Sequence, residues 1–289
     1  MTAKYQTGAN LFDQWRADVL SGTPPPLYPV SDGALDVVRI GPKLVTLIGG
    51  APGAGKTALV MQCAVDALRL TPDLRVQICN VEMPPTALLD RQLARLSGVD
   101  AGRIRDRKFD REDHEPMEVA FNTLAGVADR LSFVRAPFDL KNVAESGDDF
   151  TADVIILDYI QRIRPPGDFA DRRGSVAATM EVIREMADSG VAVVVVAAVS
   201  RQRDKKGRSS YQGDALNLAS FRESSELEFG ADDAFMLVPS GENDDEIILK
   251  HLKSRYGQTG DSILRFNRSL QRFEALQDEK GYDVEFFGE

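Results

Sequence analysis

Gly50, Ala51, Pro52, Gly53, Ala54, Gly55, Lys56 and Thr57 carry the spacing G-x-x-x-x-G-K-T, between an apolar run at 44–48 and an apolar pattern of helical period at 57–70. A turn of this kind works only where a buried strand feeds directly into a helix. The chain is therefore committed to layered α/β architecture. Glycine lets successive backbone N–H groups turn inward around phosphates, Lys56 reaches the β and γ oxygens, and the Thr57 hydroxyl is a ligand for Mg²⁺. The expected nucleotide contacts are these eight residues and Ala58, with ATP and Mg²⁺ as the cofactors.

The 289 residues, 43% of them hydrophobic, are enough to bury one large core. A formal net charge of -10 excludes a protein whose whole surface grips nucleic acid, but leaves room for local basic segments. Two cysteines, Cys63 and Cys79, have no metal spacing and read as small buried hydrophobes of a reducing compartment. His114 and His251 alone do not make a histidine metal centre. No segment reaches the roughly 18 consecutive apolar residues of a membrane span, and the first residues lack a signal pattern, so a cytoplasmic protein without a membrane partner is expected.

Residues 10–20 place Leu11, Phe12, Trp15, Val19 and Leu20 at helical spacing, with Asn10 as candidate cap, and Pro24, Pro25 and Pro26 follow in an extended linker. An amphipathic helix outside a core needs an apolar groove, on its own domain or on a neighbouring subunit. Beyond it, strand candidates at 44–49, 76–81, 131–134, 154–157, 191–199, 234–238, 247–252 and 263–266 alternate with helix candidates at 57–70, 85–96, 115–129 and 176–189. Past residue 234 the crossover helices disappear. The expected fold is an α/β P-loop NTPase with a mostly parallel twisted sheet, helices on both faces and a β-rich C-terminal portion. Its divisions are a helix and linker at 1–32, the ATPase domain at 33–276 and an acidic tail at 277–289.

The apolar run 154–157 ends in Asp158, a carboxylate placed to orient Mg²⁺. Glu82 ends the strand after the loop's own helix, where a carboxylate can polarise water toward a γ-phosphate; the bland alternative is an ordinary strand-end Glu. Arg201, Arg203, Lys205, Lys206 and Arg208 cluster after the 191–199 run, as a contact for a phosphate backbone or as a solvated charged turn. Arg162, Arg164, Arg172 and Arg173 form a weaker basic stretch. Neither has an interleaved aromatic, so any contact would be to backbone. Lys253 and Arg255 lie on one face of a strand with no carboxylate nearby in sequence, which suggests an external anion such as a phosphate held by the adjacent subunit.

Together these segments resemble the C-terminal motor domain of DnaB-type replicative helicases, a RecA-like family of hexameric rings. The resemblance runs from about Gly33 to Phe273. It rests on Gly33-Ala34-Leu35-Asp36, the phosphate loop, Val81-Glu82-Met83-Pro84, residues 91–104, Leu157-Asp158-Tyr159-Ile160-Gln161, Arg222-Glu223-Ser224 and Lys253-x-Arg255-x-Gly257-x-Thr259-Gly260. It implies Glu82 as catalytic base, Asp158 as the metal carboxylate, and Arg255 with Lys253 acting in trans on the neighbour's γ-phosphate. It also implies that the two basic loops, through Arg164, Arg172, Arg201, Arg203, Lys205, Lys206 and Arg208, line a channel for single-stranded DNA, and that the helix at 11–20 packs on the next subunit.

Three departures stand out. Ser200-Arg201 replaces the family's Ser-Gln, with Gln202 one place later. Residues 137–153 look short for the family's extra helix, and the N-terminal helical collar domain has no counterpart. The leading expectation is an ATP-hydrolysing, ring-forming DnaB-like motor on single-stranded DNA, with a replication or loader protein as a further partner. The alternative is a RecA/KaiC-like regulatory or assembly ATPase that binds a protein and does not unwind DNA.

Overall fold

In the computed structural model, residues 5–31, 35–165, 167, 172–199, 202–203, 209–210, 229–241 and 243–276 are described. The order is α1 (Gly8–Ser21), β1 (Val45–Gly50), α2 (Lys56–Leu70), β2 (Val76–Asn80), α3 (Pro85–Ser97), α4 (Ala101–Arg105), α5 (His114–Ala125), β3 (Leu131–Phe133), α6 (Leu140–Phe150), β4 (Val154–Asp158), α7 (Arg172–Asp188) and β5 (Ala192–Ala198). A two-stranded ribbon, β6 (Gln202–Arg203) and β7 (Ser209–Ser210), precedes β8 (Asp233–Pro239), β9 (Glu246–Ser254), β10 (Ser262–Asn267) and β11 (Arg272–Ala275). The main sheet runs β11-β10-β9-β8-β1-β5-β4-β2-β3. Strands β8, β1, β5, β4, β2 and β3 are parallel, and β9, β10 and β11 extend the sheet antiparallel from β8.

Unbroken apolar strands follow from cover on both faces. Val194 and Val196 pack with Ile48, Leu59, Met61 and Phe235 on the α2 side. Val193 and Val195 pack with Leu47, Leu140, Met180 and Ile183 on the α6 and α7 side. The period of two in side-chain direction is present, but both faces are dry, so the sequence reads as a continuous run. Cys63 and Cys79 are buried free thiols, and burial pushes each up to about 12.

Four local expectations need correction. Thr7, not Asn10, caps α1: its side chain accepts from the Asn10 amide while the Asn10 side chain returns to the Thr7 backbone. Residues 137–153 do contain a helix, α6, because Asp139 caps it through Asn142 and Leu140, Val143 and Gly147 face inward. The 115–129 pattern splits, with α5 ending at Ala125 and a 3₁₀ turn at Ala128–Arg130. Arg272–Ala275 adds an edge strand too short to show a pattern. Helix α1 buries no residue, and Leu11, Phe12, Trp15, Val19 and Leu20 all face solvent rather than folding back on the domain.

Helix α3 is fastened to α2 by a buried pair. Arg95 donates from Nη1 and Nη2 to Asp66 at 2.9 and 3.0 Å and from Nε to Gln92. Removing Arg95 leaves the buried Asp66 carboxylate with only the part-exposed Arg69, at 3.1 Å, as a cationic partner. Arg95→Ala should therefore lower the unfolding free energy by about 3–5 kcal/mol in urea titration. The double change Asp66→Leu with Arg95→Met should cost clearly less; equal losses would show that packing rather than charge carries the contact.

Candidate functional site

Because β1, β5, β4 and β2 are parallel, their carboxyl ends share one edge. Gly50 is level with Ala198, Asp158 with Val196, and Asn80 with Asp158. The loop from Gly50 to Gly55 leaves β1 at that edge and enters α2. Gly55 is the N-cap and supplies no side-chain hydrogen bond, so the first-turn N–H groups of a 15-residue helix face outward with the positive end of its dipole. Gly53 (φ +78°) and Gly55 (φ +91°) need left-handed backbone. At Gly55 a Cβ would also meet Phe273 Cζ at 2.7 Å.

These elements wall a cleft of about 490 Å³, a size suited to a nucleotide. Pro52, Gly53, Gly55, Lys56, Thr57 and Ala58 line one side. Gly50, Ala51 and Ala54 hold the loop from behind, the two alanines buried. Glu82, Met83, Arg91, Asp158 and Tyr159 form the opposite side, and Phe266, Arg268 and Gln271 close one end.

Lys56 Nζ donates to the carbonyls of Gly50 and Ala51 at 2.8 and 3.0 Å. Burial lowers its pKa, opposed by the charges of Asp158 and Glu82. The Thr57 hydroxyl donates to Asp158 Oδ2 at 2.7 Å, and Asn80 Nδ2 donates to the same oxygen at 2.7 Å. Burial raises the Asp158 pKa; the Thr57 hydrogen bond, Lys56 and Asn80 pull it back. Glu82 lies two residues past the end of β2, half exposed, with Oε1 3.6 Å from Arg162 Nη1. Asn80 Oδ1 accepts from the Glu82 and Met83 amides, so one side chain links the Asp158 carboxylate to the backbone that carries Glu82.

Sequence reasoning passed over Asn80, Arg91 and Arg268. Asn80 was findable as the polar end of an apolar strand. Arg91 reaches the cleft from α3 and makes no ion pair within 4 Å among the described residues, a placement visible only once α3 is docked. Burial lowers its pKa, opposed by Asp158. Arg268 donates to the Gly53 carbonyl at 2.7 Å.

Lys253 and Arg255 stand apart from this cleft. Lys253 Nζ donates to the Ala231 carbonyl at 2.7 Å and to Phe229 at 3.2 Å. Arg255 follows the end of β9, and its Nη1 is 2.6 Å from Asp232 Oδ1, so the carboxylate missing from the local sequence is supplied in space by the chain itself. Antiparallel pairing of β8 with β9 brings in Asp232 from far along the chain. Asp232 Oδ2 also accepts from the Val45 amide, at the amino end of β1. The phosphate loop leaves the other end of β1, about 17 Å away along the strand.

Of the basic residues, Arg164 is exposed, Arg172 opens α7 and Arg203 belongs to the β6–β7 ribbon. Arg201, Lys205, Lys206 and Arg208 lie outside the described residues, as do Ser200 and residues 222–224. Among the described residues no cluster of three His, Cys, Asp or Glu side chains could hold a metal, and no helix is long and apolar enough to cross a membrane.

Comparison with known proteins gives a consistent result. Residues 35–275 match the family model described as "DnaB-like helicase C terminal domain". The "Replicative DNA helicase DnaB" of Buchnera aphidicola subsp. Schizaphis graminum is 28% identical over 246 residues, 81% of this chain and 51% of that protein. A "Probable plasmid replicative DNA helicase" of Chlamydia trachomatis is 23% identical over 241 residues, 80% of this chain and 50% of that protein. The chain thus spans about half the length of the curated relatives it matches. Among solved structures, one described as an ATPase domain superposes with a TM-score of 0.80 at 18% identity, covering 95% of this chain and 100% of that one. A structure titled "The Structure Of A DnaB-Like Replicative Helicase And Its Interactions With Primase" gives 0.79 at 19%, covering 95% and 68%. At these identities the likeness shows the fold.

The raised pKa of Asp158 has a consequence for stability. The folded chain holds this proton more tightly than the unfolded chain, so stability falls as pH rises from the ordinary carboxylate value through the raised one. Asp158→Asn should therefore unfold at higher temperature than the parent at pH 7 without nucleotide. The gain should shrink as pH is lowered toward about 3.9, the ordinary Asp value. A variant no more stable than the parent at pH 7 would contradict the assignment of burial as the dominant influence.

Proposed function

The chain belongs to the DnaB-like helicase C-terminal domain family, and from that premise we propose that it is an ATP-hydrolysing, ring-forming motor acting on single-stranded DNA. The observation that carries this is that Arg255 is paired with Asp232, which binds the amino end of β1, while the phosphate loop leaves the other end of that strand, itself about 17 Å long. A cation so placed serves a phosphate held by another copy of the chain. The loop residues 50–58 bind ATP, Glu82 orients and deprotonates the attacking water, and Arg255 with Lys253 neutralises charge on the neighbour's γ-phosphate.

Mg²⁺ suits the cleft. This ion takes few protein ligands and completes its octahedron with phosphate oxygens and water. The Thr57 hydroxyl and Asp158 carboxylate converge within 2.7 Å, and no second carboxylate is needed. When bound, the ion would draw charge from the β and γ oxygens. Thr57 would hold it, Asp158 would orient its water shell, and Asn80 would keep Asp158 aligned.

Nucleic acid would run past Arg164, Arg172 and the basic segment Arg201–Arg208, with contacts to phosphate and no base reading. Helix α1, amphipathic and with no residue buried, packs on the adjacent subunit of the ring, which we take as a hexamer in the cytoplasm. A replication or loader protein remains a further partner in this reading. The regulatory-ATPase alternative loses ground to the family assignment and makes a different prediction for DNA.

MgATP turnover with and without a single-stranded oligonucleotide tests the proposal. Stimulation is expected, and a rate indifferent to DNA would favour the regulatory ATPase. Glu82→Gln should cut turnover by about 10²–10⁴-fold, and Arg255→Ala by about 10³-fold or more, both with MgATP affinity retained. Neutralising Lys205 and Lys206 together should remove stimulation and leave the basal rate; loss of both rates would argue against a DNA-contacting loop.

A further inference from the structure

Asp232 is a heavily engaged carboxylate outside the nucleotide cleft. It is 1% exposed and sits just before β8. Its Oδ2 accepts from the Val45 amide at 2.8 Å and from Arg184 Nη1 on α7 at 2.8 Å. Its Oδ1 faces Arg255 Nη1 at 2.6 Å and accepts no well-aligned hydrogen bond. The Arg255 backbone N–H also donates to the Asp232 carbonyl at 2.9 Å. One oxygen is thus locked to the domain's frame, and the other guides a guanidinium whose side chain is 44% exposed.

A guanidinium has five N–H donors in a rigid fork. Among the described residues only Nη1 of the Arg255 side chain has a partner, so Nε and Nη2 are left as donors for an incoming phosphate. Arg184 keeps Asp232 in place from the opposite side and is itself steadied by Asp188 at 3.3 Å. A long exposed arginine without this anchor would sample many rotamers and lose orientation at the moment of catalysis.

We infer that Asp232, braced by Arg184, is the positioning residue for the trans-acting Arg255, and that it contributes to the neighbour's active site rather than its own. The inference rests on the proposed trans role of Arg255. It predicts a defect belonging to the finger half of an interface, which subunit mixing detects. In mixtures of the full chain, a Lys56→Ala subunit supplies an intact Arg255 but no working loop. A finger-defective subunit supplies the converse.

Asp232→Asn and Arg184→Gln should each lower DNA-stimulated ATP turnover by about 10²-fold or less, with MgATP affinity unchanged. Mixing either with Lys56→Ala should restore activity, as mixing Arg255→Ala with Lys56→Ala does; mixing either with Arg255→Ala should not. Wild-type turnover in a folded Asp232→Asn or Arg184→Gln variant overturns the inference, as does rescue by Arg255→Ala in place of Lys56→Ala. If Asp232→Asn fails to fold, Arg184→Gln decides the matter alone, with its melting temperature as control. Should Arg255→Ala itself keep full turnover, the trans-finger reading falls and the inference falls with it, an outcome distinct from the others.

Discussion

One buried carboxylate organises the nucleotide cleft. Asp158 accepts from Thr57 at the start of α2 and from Asn80 at the end of β2, while itself ending β4. Three elements from distant parts of the sequence are aligned at that oxygen. Burying the charge opposes ionisation, and only the two donors and the nearby Lys56 make the site tolerable to it. A site built this way spends folding stability on chemistry, which is the usual relation between strained or charged groups and function. The parallel sheet makes the alignment possible, because it brings strand ends together at one edge without the chain needing any local signal there.

The second constraint is the floor under the loop. Phe266 and Phe273 stack with ring centres 4.4 Å apart and press on Gly55, where no side chain fits. Gln62 on α2 exchanges two hydrogen bonds with the Phe273 backbone, at 3.0 and 2.9 Å, so the edge strand β11 is tied to the helix that bears the phosphate site. Arg268 completes the contact from β10's end through the Gly53 carbonyl. The antiparallel strands are therefore part of the nucleotide cleft rather than an appendage to it.

These contacts explain what could be read from the sequence. The loop, Asp158 and the parallel strands around them were legible because the loop has a fixed spacing and buried parallel strands read as apolar runs. Asn80 ends such a run and could have been picked out by the same logic as Asp158. Arg91 and Arg268 could not, since each reaches the cleft through docking of an element whose own sequence is ordinary. Asp232 was invisible for a related reason: its partner Arg255 is close only because β8 and β9 pair antiparallel. Helix α6 was not among the helix candidates read from the sequence, although Asp139 as a cap and inward Leu140 and Val143 were there to argue for it.

Asp232 and the phosphate loop stand at opposite ends of one strand. Val45, where β1 begins, is bound to Asp232; Gly50, where β1 ends, opens the phosphate loop. The strand is buried along its whole length and bonded on both sides, to β5 and β8, so it has little freedom to lengthen, tilt or slip. Under the proposed trans role of Arg255, a displacement imposed there by a neighbour's nucleotide would either break the Asp232 contacts or move β1 as a body. In a close-packed parallel sheet the second course carries the loop with it. If Arg255 acts in trans as proposed, the central strand is a direct mechanical connection between the two half-sites of a subunit.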